Sequence, residues 1–194
     1  MIIGKIVSAS SHVDYICQVY GPGEAARVPA PQDYGFGTWV AVEMAAGGYL
    51  VGAIRNTTLL NPEFGNLGPR LSPQEDLAVF SPDYLAEKAT LVAVVILGAV
   101  GAEGEVEQGV PTVAAQIDSR VRTLEREEII AFHRGEHGLR LAYLPLLATM
   151  QDPLVPHLMS RLIAELGRLL PQEAPRLAVL AKNLAWKSRV EPVG

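Results

Sequence analysis

Twelve residues without a charged or hydrogen-bonding side chain, running Leu-Val-Ala-Val-Val-Ile-Leu-Gly-Ala-Val-Gly-Ala from Leu91 to Ala102, limit most sharply what this chain can fold into. A membrane-crossing helix needs about 20 such residues, so the run is too short to span a bilayer as a helix. Its β-branched residues and glycines suit a strand buried on both faces. A chain of 194 residues can house such a strand in one generous domain, or in a small domain with an appendage.

Composition adds to this reading where it excludes something. Hydrophobic residues at 49% and charged residues at 19% are ordinary for a globular protein and far from a disordered one. The N-terminal run Met-Ile-Ile-Gly-Lys-Ile-Val lacks the basic, apolar and cleavage regions of a signal peptide, and no segment reads as targeting. One cysteine, Cys17, can form no internal disulfide and no zinc site by itself. Within an apolar strand pattern it reads as a small buried hydrophobe, and a reducing, cytoplasmic setting is expected. A net charge of −5 repels nucleic acid, and no Lys/Arg run offsets it locally.

The first half has strand character. Ile2–Ser8 and Val13–Tyr20 are apolar runs, and Gly21-Pro22-Gly23 stops the second. Pro29–Gly37 reads as loop. Trp39–Met44 and Tyr49–Ile54, joined across Gly47-Gly48, form the clearest hairpin. Residues 61–82 are rich in Pro, Gly, Asn and Ser and read as a long excursion, with a helical stretch starting near Ser81-Pro82. Thr90–Val100 is the buried strand, Glu103–Glu107 an acidic hairpin end, and Val113–Ile117 a return to β structure, with the barrel ending near Val121.

Beyond Val121 the apolar period changes from two to about 3.6. Thr123 can cap a helix with Glu125 and Glu127 in its first turn. Leu139–Leu147 fits a final strand or an apolar connector. Asp152-Pro153 signals a helix start, followed by Leu154, Leu158, Leu162 and Leu166 at i+4 spacing. Pro171 ends that helix and Pro175 opens another, with Leu177, Leu180 and Leu184 on one face. The expected helices cover about 124–132, 153–169 and 174–187, the last two forming a helical hairpin.

Chemical signatures are few. Gly47-Gly48-Tyr49-Leu50-Val51-Gly52-Ala53-Ile54 has a P-loop's glycine spacing, but Ala53 and Ile54 stand where lysine and a hydroxyl residue are required. A hairpin turn explains those glycines better. His133 and His137 have i,i+4 spacing that can bring two imidazoles together on a helix. Gly135 and Gly138 instead suggest that the helix has ended, leaving His133 at a solvated terminus near the negative end of the dipole. No Gly-x-Ser-x-Gly elbow occurs, and the acidic runs Glu103–Glu107 and Glu125–Glu128 read as solvated. Tyr15, Tyr20, Tyr34, Phe36, Trp39 and Tyr49 are candidate stacking platforms for single-stranded bases, or core and interface anchors. No catalytic, cofactor or metal residue is assigned.

The segments Ile3-Gly4-Lys5-Ile6-Val7-Ser8-Ala9-Ser10 and Asp14-Tyr15-Ile16-Cys17-Gln18-Val19 resemble the start of the HAS-barrel, a domain of HerA helicases and ATP synthase subunits. Gly37-Thr38-Trp39-Val40-Ala41-Val42 and Leu50-Val51-Gly52-Ala53-Ile54 are similar to its next strands. Val94–Gly98 and Val110-Pro111-Thr112 resemble the later strand and exit, and Leu124–Ile130 the short helix that follows. The resemblance covers residues 2–147 and implies a six-stranded closed barrel that forms ring crowns and docks partners. Where HerA-like proteins carry a Walker motor, this chain has the helices after Asp152 and no Gly-Lys-Ser/Thr, so ATP hydrolysis does not carry over.

The resulting expectation is an α+β chain, with a barrel over 1–121 and a helical region over 122–194. It acts as a non-catalytic docking module that self-associates or binds a separate HerA-type ATPase or nuclease in DNA processing. The rival reading is a single-strand-binding accessory protein that uses the barrel aromatics.

Overall fold

The computed structural model describes residues 1–61, 88–136 and 138–190, with side chains through 184. The apolar run lies in β5 (Ala89–Val100), and Val92–Gly98 are buried throughout. One edge of β5 pairs along its whole length with β4 (Tyr49–Leu60). The other edge is divided. Leu91–Val95 pair with β2 (Asp14–Val19), and Gly98–Val100 pair with β6 (Val106–Gln108).

The β2–β5 pairing closes a ring. Around it run β2, β1 (Ile2–Ser11), β7 (Arg120–Thr123), β3 (Trp39–Glu43), β4 and β5, and every neighbouring pair is antiparallel. The result is the expected six-stranded closed barrel followed by helices, an α+β fold. The β3–β4 hairpin turns on Gly47 and Gly48, whose φ of +90° and +74° suit residues without a Cβ. At Gly4 a Cβ would collide with the Gln18 carbonyl, so the close approach of β1 to β2 requires glycine there.

Alternation along the strands sorts side chains to two faces. Val40, Val42, Leu50, Ile54, Val94 and Ile96 point inward with Ile3, Ile6, Tyr15 and Cys17, filling the barrel. Trp39, Ala41, Val51, Ala53, Val95 and Leu97 point outward and are equally buried, because helices cover them. The cover consists of α1 (Arg126–His133), α2 (Leu144–Ala148), α3 (Val155–Leu169) and α4 (Ala174–Val190). Leu158, Leu162 and Leu166 of α3 are at most 1% exposed, and each contributes about 2 kcal/mol by leaving water. The leucine stripe therefore packs on its own chain.

Some local expectations are corrected. Val113–Ile117 is not a strand and pairs with no described strand. Instead the segment crosses irregularly, with the Ala115 N–H donating to Tyr15 Oη at 3.1 Å and His12 Nε2–H donating to the Pro111 carbonyl at 2.7 Å. Thr123 caps no helix, because it belongs to β7 and its hydroxyl oxygen accepts from the Met1 ammonium at 2.9 Å. Leu139–Leu147 divides into a two-residue strand β9 (Gly138–Leu139), paired with β8 (Arg134–Gly135), and helix α2. Pro31–Tyr34 forms a short 3-10 helix inside the expected loop. The barrel's last strand runs to Thr123, so residue 121 falls inside it. The excursion beyond residue 61 and the Ser81-Pro82 helix start lie outside the described residues.

One polar clamp joins barrel to helices. Arg55 donates through Nε and Nη2 to Asp14 at 3.0 and 2.8 Å, and through Nη1 to Asp152 at 2.6 Å. The other oxygen of Asp152 accepts from the Leu154 N–H at 2.8 Å, just before α3 begins. Arg55→Met leaves two mostly buried carboxylates without their cation. Urea unfolding is expected to show a loss of about 2 kcal/mol with an unchanged slope. A loss within experimental error would mean that the clamp contributes nothing.

Candidate functional site

Two clusters of chemically capable side chains stand out, both on the outer side of the barrel wall. The first centres on His133, the last residue of α1. Glu128 opens that helix by accepting from the Glu125 N–H at 2.8 Å, and Phe132 and His133 are then buried at its other end. His133 Nδ1 lies 2.7 Å from the Ile129 carbonyl, which can only accept, so Nδ1 carries the proton. Nε2 is then the acceptor for the Tyr143 hydroxyl at 3.0 Å. Trp39 and Phe132 meet the ring edge-on at 5.0 and 5.1 Å.

His133 is 0% exposed, which overturns the expected solvated helix terminus. The glycines at 135 and 138 do end the helix, but they turn the chain back across it. The Arg140 N–H donates to the His133 carbonyl at 2.9 Å, sealing the end. Burial pushes the imidazole pKa down to about 4, and burial also raises that of the Tyr143 phenol. At neutral pH the imidazole is uncharged, in one tautomer, with both nitrogens engaged. His137 lies outside the described residues. Among the described residues no group of three His, Cys, Asp or Glu side chains could hold a metal ion.

Trp39 Nε1 is buried and forms no hydrogen bond of normal geometry. Nearby on α3, burial raises the Glu165 carboxyl, while Arg168, Arg161 and the Trp39 indole draw it back. Gln108 on β6 completes the seam. Its Nε2 donates to the Phe132 and Arg140 carbonyls at 2.8 and 3.2 Å, and its Oε1 accepts from the Ala142 N–H at 2.7 Å.

The second cluster lies at the hairpin end of the barrel. Arg122 donates through Nη1 and Nη2 to both oxygens of Glu128 at 2.8 and 2.7 Å, and lies over the Tyr49 ring 5.1 Å from its centroid. The hydrogen bond from Arg122 holds the Glu128 carboxyl below its usual range. Glu43, Met44, Gly48, Gly101 and Gly104 border a shallow depression of about 500 Å³ here. Arg122 is already matched by a bidentate carboxylate, so this is a formed ion pair rather than an anion receptor. Glu125 and Glu127 are exposed as expected of an acidic run, whereas Glu128 is not.

The remaining candidates are dispersed. Cys17 is fully buried in the barrel and burial pushes its thiol up to about 12, consistent with a packed hydrophobe. Tyr15 lies inside the barrel and Trp39 beneath the helices, while Tyr20, Tyr34, Phe36 and Tyr49 are half-buried. A half-open apolar groove of about 310 Å³ separates Leu139, Leu141 and Leu144 from Leu177 and Leu180. No described helix is long and apolar enough to cross a membrane.

Sequence inspection missed Tyr143, Gln108 and the Arg122–Glu128 pair. The spacing of Ile129 and His133 was available as a signal, since i,i+4 back-bonding is local. Nothing local joins Gln108 to Arg140, or Trp39 to His133.

The buried imidazole makes stability depend on pH. Above pH 6.5 both folded and unfolded chains hold it neutral, and its contribution is fully present. Between 6.5 and about 4 the unfolded chain takes up a proton that the folded one refuses, so stability falls with decreasing pH by about 3 kcal/mol in all. Urea titrations of the native protein and of His133→Phe should differ in slope across that window. Parallel profiles would show that the histidine titrates normally.

A search of curated proteins finds no match to this chain. The profile of one family, described as "Domain of unknown function (DUF8166)", matches residues 1–193, and with nearly its whole length so matched the chain belongs to that family.

Proposed function

We propose that this protein is a non-catalytic assembly module, a HAS-barrel-like unit of the cytoplasm that self-associates or docks a separate HerA-type ATPase or nuclease in DNA processing. The observation that carries this reading is the double burial of the barrel wall. The interior is filled by aliphatic side chains, and the outer face over Trp39, Ala41, Val51 and Leu97 is covered by the chain's own helices. A barrel so filled offers its exposed surface rather than its lumen. That surface carries Leu59 at 75%, Ile117 at 62%, Val113 at 58% and Val110 at 54% exposure, apolar groups of the kind partner surfaces cover.

The single-strand-binding alternative rests on aromatic platforms. With Tyr15 and Trp39 spent on packing, it would depend on Tyr20, Tyr34, Phe36 and Tyr49 at a net charge of −5.

Light scattering on the purified chain, together with affinity purification of the tagged chain from its native cell, tests the proposal. A mass above that of one chain, or co-purification of a motor ATPase or nuclease, supports it. A single-chain mass at all concentrations with neither partner present, or turnover of ATP by the pure protein, overturns it.

A further inference from the structure

Strand β4 outruns β3. The two pair from Glu43↔Tyr49 to Trp39↔Ala53, and the final bonds on that side are Ile54 N–H to the Thr38 carbonyl and Gly37 N–H to the Ile54 carbonyl. Beyond Arg55, β4 continues against β5 as far as Leu60↔Ala89. On its opposite edge, Asn56–Leu60 have no strand against them among the described residues. All five are exposed, Leu59 at 75% and Leu60 at 47%.

The direction of the backbone groups follows from the ladder. Ile54 bonds toward β3, and a bulge inserts one residue before Asn56↔Ala93. The inserted residue reverses the alternation, so Asn56 and Thr58 face β5 while Thr57 and Leu59 direct their N–H and C=O groups outward. Consistent with this, the Thr57 N–H donates to its neighbour's side chain, Asn56 Oδ1, at 2.8 Å rather than to a described strand.

We infer that this edge pairs with the same edge of a second copy of the chain, antiparallel about a two-fold axis through Thr58. The inference rests on the assembly reading above and names the surface used. In this register Thr57 of one copy opposes Leu59 of the second copy, and each pair exchanges N–H and C=O hydrogen bonds in both directions. Thr58 faces its own counterpart across the axis as a non-hydrogen-bonded pair. Asn56–Leu60 include no charged residue, so no like charges meet in self-pairing, and none of the usual lysine or proline guards blocks the edge. A two-fold contact of identical edges is closed and stops at two copies. Five residues span about 17 Å. A strip of that length and about 10 Å deep covers on the order of 200 Å², well short of the roughly 800 Å² per partner of a standard interface, so the dimer is reversible and concentration-dependent.

Sedimentation velocity over a concentration series tests this, on the full chain and on Thr58→Lys, which sets two like charges face to face. Circular dichroism confirms that the variant is folded. A non-hydrogen-bonded pair also has the approach a disulfide needs, so Thr58→Cys should crosslink under mild oxidation and Asn56→Cys, far from its counterpart, should not. The expected result is a mass rising from one chain to two, lost in Thr58→Lys, with crosslinking confined to position 58. A dimer that persists in Thr58→Lys, or crosslinking at 56 but not 58, overturns this edge while leaving the assembly reading in place. A wild-type chain that stays single throughout overturns the inference; the assembly reading falls with it when, in addition, neither motor nor nuclease accompanies the chain.

Discussion

The wall formed by β3, β4 and β5 is apolar on both faces, and the rest of the molecule follows from the need to keep both dry. A barrel ordinarily buries one face of each strand and presents the other to water. Here Val40, Val42, Val94 and Ile96 face the lumen, while Ala41, Val51, Val95 and Leu97 face outward and are no more exposed. The outward set can stay folded only beneath another apolar layer. That layer is the stripe of α3, supported by α1, α2 and the first turns of α4.

The seam between wall and helices also holds polar groups, and their placement decides how the helices sit. Trp39, His133, Tyr143 and Gln108 are all at most 9% exposed, and the last three are joined to backbone or to one another by hydrogen bonds. An aliphatic seam could slide by a turn at little cost, whereas these bonds exist in one register. Arg55 acts likewise at the other margin, fixing the approach to α3 against β2 and β4.

The lumen is filled with side chains and the outer face of β3, β4 and β5 lies beneath the chain's own helices, so that wall ends in two margins. The margins are uneven. The hairpin end carries the matched Arg122–Glu128 pair, while the extended end of β4 has two exposed leucines and, among the described residues, no strand on its outer edge. These two ends differ in chemistry as much as in position. One is polar and already paired, the other carries exposed apolar side chains.

Local sequence determined the cores of β1 to β5, the Gly47-Gly48 turn, the buried character of Val92–Leu97 and the two C-terminal helices, but not the short strands β6 and β7, because periodicity, glycine and proline act through neighbours along the chain and three or four residues carry too little of any period. It also displayed the α3 stripe, though not the surface that the stripe would cover. Tertiary structure alone decided that Val113–Ile117 would stay out of the sheet, where the Ala115 N–H meets the Tyr15 hydroxyl rather than a strand. It likewise decided that His133 would be enclosed rather than solvated, because the residues that enclose it, Trp39 and Tyr143, are brought in from another strand and from beyond the turn. Burial on both sides of one sheet could be read from twelve apolar residues; what lies on each side depends on contacts between residues far apart in the chain, which no local pattern encodes.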